Sequence, residues 1–142
     1  DVKILLIGDT HDARYVDAFL KMCPHDPRVF NLTGKLDIGM LAALLERARL
    51  FITNDSGPLH IAVSIGTPTV SLFGPEIPER YGPIGGKHGV LYSRAYCSPC
   101  LNAYNQKIAI CNGENSCMRA ISVEDVFAEV VKNINTADFG KG

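Results

Sequence analysis

The sequence lacks the features that would place the chain in a membrane, on nucleic acid or on a secretion route. No apolar stretch approaches the roughly 18 residues that a membrane-spanning helix needs. The formal net charge is −1, which gives no electrostatic reason to expect binding to nucleic acid or to an anionic membrane. Asp1 opens directly onto a strand-like run without a basic region ahead of it, so we expect no signal peptide and a chain excised from something longer.

Two further absences narrow the class of protein to which the chain could belong. The dinucleotide pattern G-x-G-x-x-G follows none of the predicted strands, which argues against a nicotinamide enzyme. Cysteine is present only as an odd set of five, which argues against a secreted disulfide scaffold and favours a reducing, cytoplasmic compartment.

What is present is a regular alternation of strand and helix patterns. Apolar runs typical of strands occur at 2–7, 28–32, 50–53, 69–73 and 89–93. Helical spacing or capping signals occur between them and at the end of the chain, at 11–22, 36–48, 58–65 and 122–134. This order predicts one α/β domain, a Rossmann-like parallel sheet with helices on both faces, over residues 1–142.

The polar cluster in "TNDSGPLH" lies where a predicted buried strand turns into a helix. Ligands of open α/β sheets bind beyond the carboxyl ends of strands. The first turn of the next helix offers backbone N–H groups and a positive dipole end, and Gly57 lets a ligand approach the backbone closely. Asp55 would repel phosphate but accepts hydrogen bonds from a diol, so the turn suits a nucleotide sugar.

Simpler interpretations of the same residues remain open. Asp55 and Ser56 would also serve as ordinary helix caps. His60, in the first turn of the helix, is either a donor to phosphate or a packed or solvated imidazole. Asp12, just after the first strand, is either an acceptor for a ribose diol or a solvated acid at a helix start.

The stretch "TNDSGPLHIAVSIGTPTVSLFGP" followed by "YGP" closely resembles the signature of glycosyltransferase family 9, the ADP-heptose:lipopolysaccharide heptosyltransferase family. The resemblance extends upstream through "NLTGKLDIGMLAALLERARLFI" and downstream through "CSPC" and "CM", over roughly residues 2 to 131. It implies the carboxyl-terminal, donor-binding half of a two-domain GT-B enzyme. The donor-binding residues that it and the turn indicate are Asp12, Gly34, Lys35, Leu36, Asp55, Ser56, Gly57, Pro58, Leu59 and His60.

The resemblance also implies a reaction. A heptose or related sugar would pass, with inversion and without a metal or other cofactor, from a nucleotide sugar, ADP-heptose first, to a lipopolysaccharide-type acceptor. Backbone N–H groups at Ser56, Gly57 and Leu59 would stabilise the leaving diphosphate. The family's catalytic base lies in the amino-terminal domain. We therefore assign no catalytic residue here, and expect the chain alone to bind without turnover and the full protein to work at the inner face of the membrane.

The cysteines of the carboxyl-terminal third follow the pattern C-x2-C-x10-C-x5-C, formed by Cys97, Cys100, Cys111 and Cys117. Four thiolates at such spacing could hold a structural zinc, and packed free thiols or disulfides are the alternatives. Two other functions also remain: another GT-B enzyme acting on nucleotide sugars, such as an epimerase, or a non-catalytic nucleotide-binding module.

Overall fold

The computed structural model describes residues 2–85, 88–100, 111 and 113–137. The chain divides into two compact units, Asp1–Leu41 and Ala42–Gly142. Each unit is described by itself below.

The first unit contains a parallel pair of short strands, β1 (Ile4–Leu6) and β2 (Val29–Asn31). Backbone pairing continues past both strands, since Leu32 N donates to Leu6 O and Gly34 N donates to Gly8 O, each over 2.9 Å. The connection between the strands contains a short 3-10 turn, Thr10–Asp12, and helix α1, Ala13–Met22. Helix α2, Ile38–Arg47, begins in this unit, and Asp37 caps it as predicted, with Met40 N donating to Asp37 Oδ1 over 2.7 Å.

The second unit is built on a three-stranded parallel sheet in the order β3-β4-β5. Its strands are β3 (Phe51–Asn54), β4 (Thr69–Phe73) and β5 (His88–Tyr92). Its helices after the end of α2 are α3 (Gly57–Ser64), α4 (Pro78–Tyr81), α5 (Ser116–Arg119) and α6 (Val123–Ala137). Helix α3 packs against β3 and β4, and α6 packs against β4 and β5. The parallel pairing and the interleaved helices confirm the predicted α/β class.

The central strand β4 carries the core of this unit. Val70 and Phe73 are fully buried, together with Leu59 and Ala62 of α3. Thr69 and Ser71 are fully buried as well, and their hydroxyl groups have partners on β5: His88 Nδ1 at 3.0 Å and Gly89 O at 3.2 Å. These bonds offset the loss of hydration that a buried hydroxyl would otherwise suffer.

Helices α4 and α5 were not predicted, because four-residue helices carry too few residues to show a period. Helix α6 starts where the "SVED" pattern indicated: Asp125 N donates to Ser122 Oγ over 3.0 Å, and that hydroxyl donates to Asp125 Oδ2 over 2.6 Å. Within the described residues, no helix has both the length and the apolar character needed to cross a bilayer.

Candidate functional site

The turn after β3 begins at the carboxyl edge of the sheet. Asn54 is the last residue of β3 and lies opposite Leu72 of β4. The pairing continues one residue further, because Asp55 N donates to Leu72 O over 3.2 Å. The backbone of Asp55 is thus held at the sheet edge, where ligands of parallel α/β sheets bind.

Ser56 is the N-cap residue of α3 by position, with an extended backbone at φ −157°. Its side chain does not cap the helix. The hydroxyl lies 3.1 Å from Thr53 Oγ1 instead. Ser56 therefore caps α3 by its position, as predicted, but without the side-chain bond that a capping serine ordinarily makes.

Gly57 opens α3, and a methyl group built in place of its Hα would meet no atom within 4 Å. The first backbone N–H groups of a helix have no intrahelical acceptor, and Pro58, in the first two positions, has no N–H to leave unpaired. Leu59 differs from expectation, since its N–H donates to Ser56 O over 3.1 Å and its side chain is fully buried. The backbone N–H groups of Ser56 and Gly57 therefore remain as the first donors at the start of the helix. His60, in the first turn, is exposed.

A pocket of about 220 Å³ lies at this edge of the sheet. In the part of the chain that the structure describes, its polar lining comes from Asn54, Asp55, Glu76 and Asn115. Its apolar lining comes from Leu72, Pro75 and Met118. Polar groups on an apolar floor are the usual composition of a small-molecule site.

The turn that follows β4 also lines the pocket, through Pro75 and Glu76. It is hydrogen-bonded to the part of the chain that contains Cys97 to Cys117, called the cysteine segment below. The Ser98 hydroxyl donates to Gly74 O and lies 2.9 Å from the hydroxyl of Tyr92. Cys100 N donates to Pro75 O over 2.9 Å. These bonds fix the backbone on which Glu76 is carried.

The remaining predicted donor-binding residues lie in the first unit. Gly34 adopts φ +69° and is joined to the end of β1 through Gly8 O, and Lys35 Nζ donates to Asn31 O over 2.9 Å. Asp12 closes a reciprocal cap: its carboxylate accepts from Asp9 N over 3.1 Å, while that of Asp9 accepts from His11 N over 2.7 Å. Asp12 therefore has the helix-start role that was the simpler of its two interpretations. Leu36, between Lys35 and the cap of α2, is partly buried.

The cysteines do not gather into the predicted four-thiolate site. No three Cys, His, Asp or Glu side chains are arranged to hold a metal ion anywhere in the described ranges. Cys100 and Cys117 are buried, and Cys97 and Cys111 are partly buried. Backbone N–H groups of Asn115 and Gly113 lower the pKa of the Cys111 thiol, because they donate to its ionised form. The structure thus gives no support for zinc, and no function below depends on a metal.

Glu76 and Asn115 were missed at the level of the sequence. Glu76 could have been found, because the rule that directs attention to the carboxyl end of β3 applies equally to β4. Asn115 had no such signal, since the chain returns to this edge only after the whole cysteine segment.

Residues 1–110 match the sequence model of glycosyltransferase family 9 (heptosyltransferase). The chain belongs to glycosyltransferase family 9. The relatives of this family 9 chain include lipooligosaccharide heptosyltransferase 2 of Campylobacter jejuni, 33% identical over 106 residues, which are 74% of this chain and 32% of the relative. The chain spans 19% to 32% of the length of the curated relatives it matches first.

Two solved structures extend the similarity to the fold. A glycosyl transferase family 9 protein from Veillonella parvula is 31% identical, with a TM-score of 0.76 over 94% of this chain and 37% of that one. The E. coli ADP-heptose LPS heptosyltransferase II is 20% identical, with a TM-score of 0.77 over 96% of this chain and 37% of that one. The predicted family and fold class are both confirmed.

Proposed function

We propose that this chain is the donor-binding part of a glycosyltransferase that takes a heptose or a related sugar from a nucleoside diphosphate. The proposed acceptor is of the lipopolysaccharide-core type, a proposal supported by the names of heptosyltransferase relatives. ADP-heptose is the first candidate donor, because it appears in the name of the structurally similar E. coli enzyme.

One observation carries this proposal: the open space over Gly57 at the start of α3. A methyl group there would collide with nothing in the protein, so packing of the fold does not require a glycine at this position. Its φ also lies outside the left-handed range, so the backbone does not require a glycine either. The open space leaves room for a ligand to approach the backbone closely, and a helix N-terminus favours an anionic ligand.

The chemistry of the transfer explains the neighbouring groups. As an acceptor hydroxyl displaces the diphosphate from the anomeric carbon, negative charge grows on the leaving oxygens. Backbone N–H groups of Ser56 and Gly57 would stabilise that charge, with His60 exposed at the same end of the helix as a further donor. Asp55 would accept hydrogen bonds from sugar hydroxyls, and the base that activates the acceptor would come from outside these residues.

Lys35 and the turn at Gly34 and Leu36, in the first unit, are proposed as donor-binding residues on the strength of the family pattern. The amine of Lys35 is exposed and bonded to a backbone carbonyl, an arrangement that a phosphate could replace at small cost. Asp12 has the least support among the predicted donor-binding residues, because its carboxylate already accepts the hydrogen bond from Asp9 N.

Calorimetric titration with ADP, UDP and GDP tests the proposal. We expect ADP to bind the wild-type chain and Gly57→Ala to weaken its binding about tenfold or more, because the methyl group occupies the space of a phosphate oxygen. Gly39→Ala is the matched control, since Gly39 is also an exposed helical glycine whose added methyl group would make only an ordinary contact, at 3.4 Å. Equal ADP affinity in the wild type and both variants would refute the role of Gly57.

A further inference from the structure

The volume of the pocket limits what it can hold. Sites for whole cofactors and drug-sized ligands measure about 300–1,000 Å³. The pocket at the edge of β3 and β4 measures about 220 Å³. The pocket is open to solvent, so it would contact one part of a nucleotide sugar, and its lining indicates which part.

The charges of the lining decide between the phosphates and the sugar. Among the described residues, the carboxylates that line the pocket are those of Asp55, from the turn after β3, and Glu76, from the turn after β4. The Glu76 carboxylate would repel a phosphate, while a hydroxyl group donates well to a carboxylate. The amides of Asn54 and Asn115 can each donate and accept, which is what vicinal hydroxyls require.

Glu76 is held in place from behind. Both carbonyl groups that precede it along the chain, those of Gly74 and Pro75, accept hydrogen bonds from the cysteine segment. The side chain is partly buried. A fixed backbone holds the carboxylate at the sheet edge, which favours discrimination between hydroxyl configurations.

Asn115, which lines the same pocket, has an unusual backbone conformation. It lies in the left-handed region, at φ +51°, and its carbonyl accepts from Met118 N over 2.9 Å and Arg119 N over 3.0 Å. An asparagine before a helix ordinarily caps it with its side chain, but this side chain makes no cap bond to α5. Asn115 is an exposed residue that lines the pocket.

We propose that Glu76 and Asn115 are specificity-determining residues that bind the hydroxyl groups of the donor sugar, opposite Asp55. The cysteine segment would then have a role in the site: it carries Asn115 and holds Glu76 at the sheet edge. This inference rests on the proposed function, since it places the sugar beside a diphosphate bound at Gly57.

Calorimetry with two ligands separates the inference from the proposed function. ADP probes the diphosphate position, and ADP-heptose probes that position and the sugar together. We expect Glu76→Gln and Asn115→Gly each to raise the Kd for ADP-heptose about tenfold while changing the Kd for ADP by less than about twofold. Glycine is chosen at Asn115 because it keeps the left-handed backbone while removing the amide.

Glu79→Gln is the control for loss of one negative charge near the site. Glu79 is exposed on α4, forms an ion pair with Arg94 at 3.6 Å and does not line the pocket, so both affinities should stay unchanged. Thermal unfolding of each variant would show that the fold is intact.

Each of the other outcomes contradicts either the inference or the proposed function. If ADP binds but Glu76→Gln and Asn115→Gly leave the affinity for ADP-heptose unchanged, the inference is wrong and the proposed function stands. If Glu76→Gln strengthens ADP binding, the pocket holds the diphosphate and the inference is again wrong. If the wild-type chain binds neither ligand, the proposed function fails and the inference fails with it.

Discussion

The turn after β3 and the turn after β4 leave the same edge of one sheet, and each contains a Gly-Pro pair, Gly57-Pro58 and Gly74-Pro75. A methyl group added at Gly57 would meet no atom within 4 Å. A methyl group added at Gly74 would lie 2.6 Å from Met118 Sδ and 2.7 Å from Cys117 Sγ. Identical dipeptides thus have different surroundings: the space over Gly57 is open, while Gly74 lets α5 pack against the strand end.

The largest effect on stability is expected at the turn after β4, called the closed turn because Gly74 has close neighbours there. Gly74→Ala should lower the free energy of unfolding by about 1–3 kcal/mol, because the new methyl group must displace the side chains of Cys117, which is buried, and Met118, which is partly buried. Equilibrium unfolding in urea measures this difference. A variant as stable as the wild type would show that α5 moves aside easily, and the contrast between the two turns would disappear.

A smaller loss is expected for the bond that fastens the closed turn to the cysteine segment. Ser98→Ala removes the donor to Gly74 O and the partner of the Tyr92 hydroxyl, so we expect a loss of about 1 kcal/mol in urea unfolding. Tyr92→Phe, which removes only the second contact, should cost less. An equal loss in both variants would mean that the bond to Gly74 contributes nothing.

At the turn after β3, called the open turn because Gly57 has no close neighbours, a glycine-to-alanine change should leave the stability unchanged or raise it. Gly57→Ala is expected to leave the chain as stable as the wild type or to stabilise it by about 0.5 kcal/mol, because alanine restricts the unfolded chain and meets no obstacle in the folded one. Urea unfolding beside Gly74→Ala provides the comparison. Destabilisation by more than 1 kcal/mol would show that Gly57 serves the fold, and would remove the argument for a ligand.

The smallest effect on stability is expected from the titration of His88, which lies at the amino-terminal edge of the sheet. Burial lowers the pKa of His88 below its usual 6.5, so the unfolded chain binds the proton at a higher pH than the folded chain does. Stability from this group is complete above about pH 6.5 and falls as the pH decreases from there towards the folded-state pKa. Thermal unfolding between pH 7 and pH 5.5 should show this decrease in the wild type and a weaker one in His88→Gln.

The same pH titration tests whether the two turns are independent of the sheet. His88 belongs to the amino end of β5, away from the carboxyl edge, so its effect should add to those of Gly57→Ala and Gly74→Ala without interaction. A different pH dependence in Gly74→Ala would indicate that strain at the closed turn is transmitted along β4.

Several features could be predicted because each depends on residues near in sequence. The cap at Asp37 depends on a side chain and a backbone N–H three residues apart, as does the cap at Ser122. The strand and helix order followed from local apolar patterns, and the family from the "NDSGP" stretch. The N-cap position of Ser56 was likewise predicted, but its side-chain partner was not, because the hydroxyl bonds to Thr53 and not to the helix.

The sequence by itself determined the α/β class, the family and the position of the turn at Asp55, because periodicity, capping and a contiguous motif are all written along the chain. Only the tertiary structure distinguished Gly57 from Gly74 and brought Glu76 and Asn115 to one pocket. The physical reason is that the surroundings of a glycine and the lining of a cavity are set by residues far away in sequence. No local pattern at Gly74 indicates that Cys117 and Met118 will pack against it.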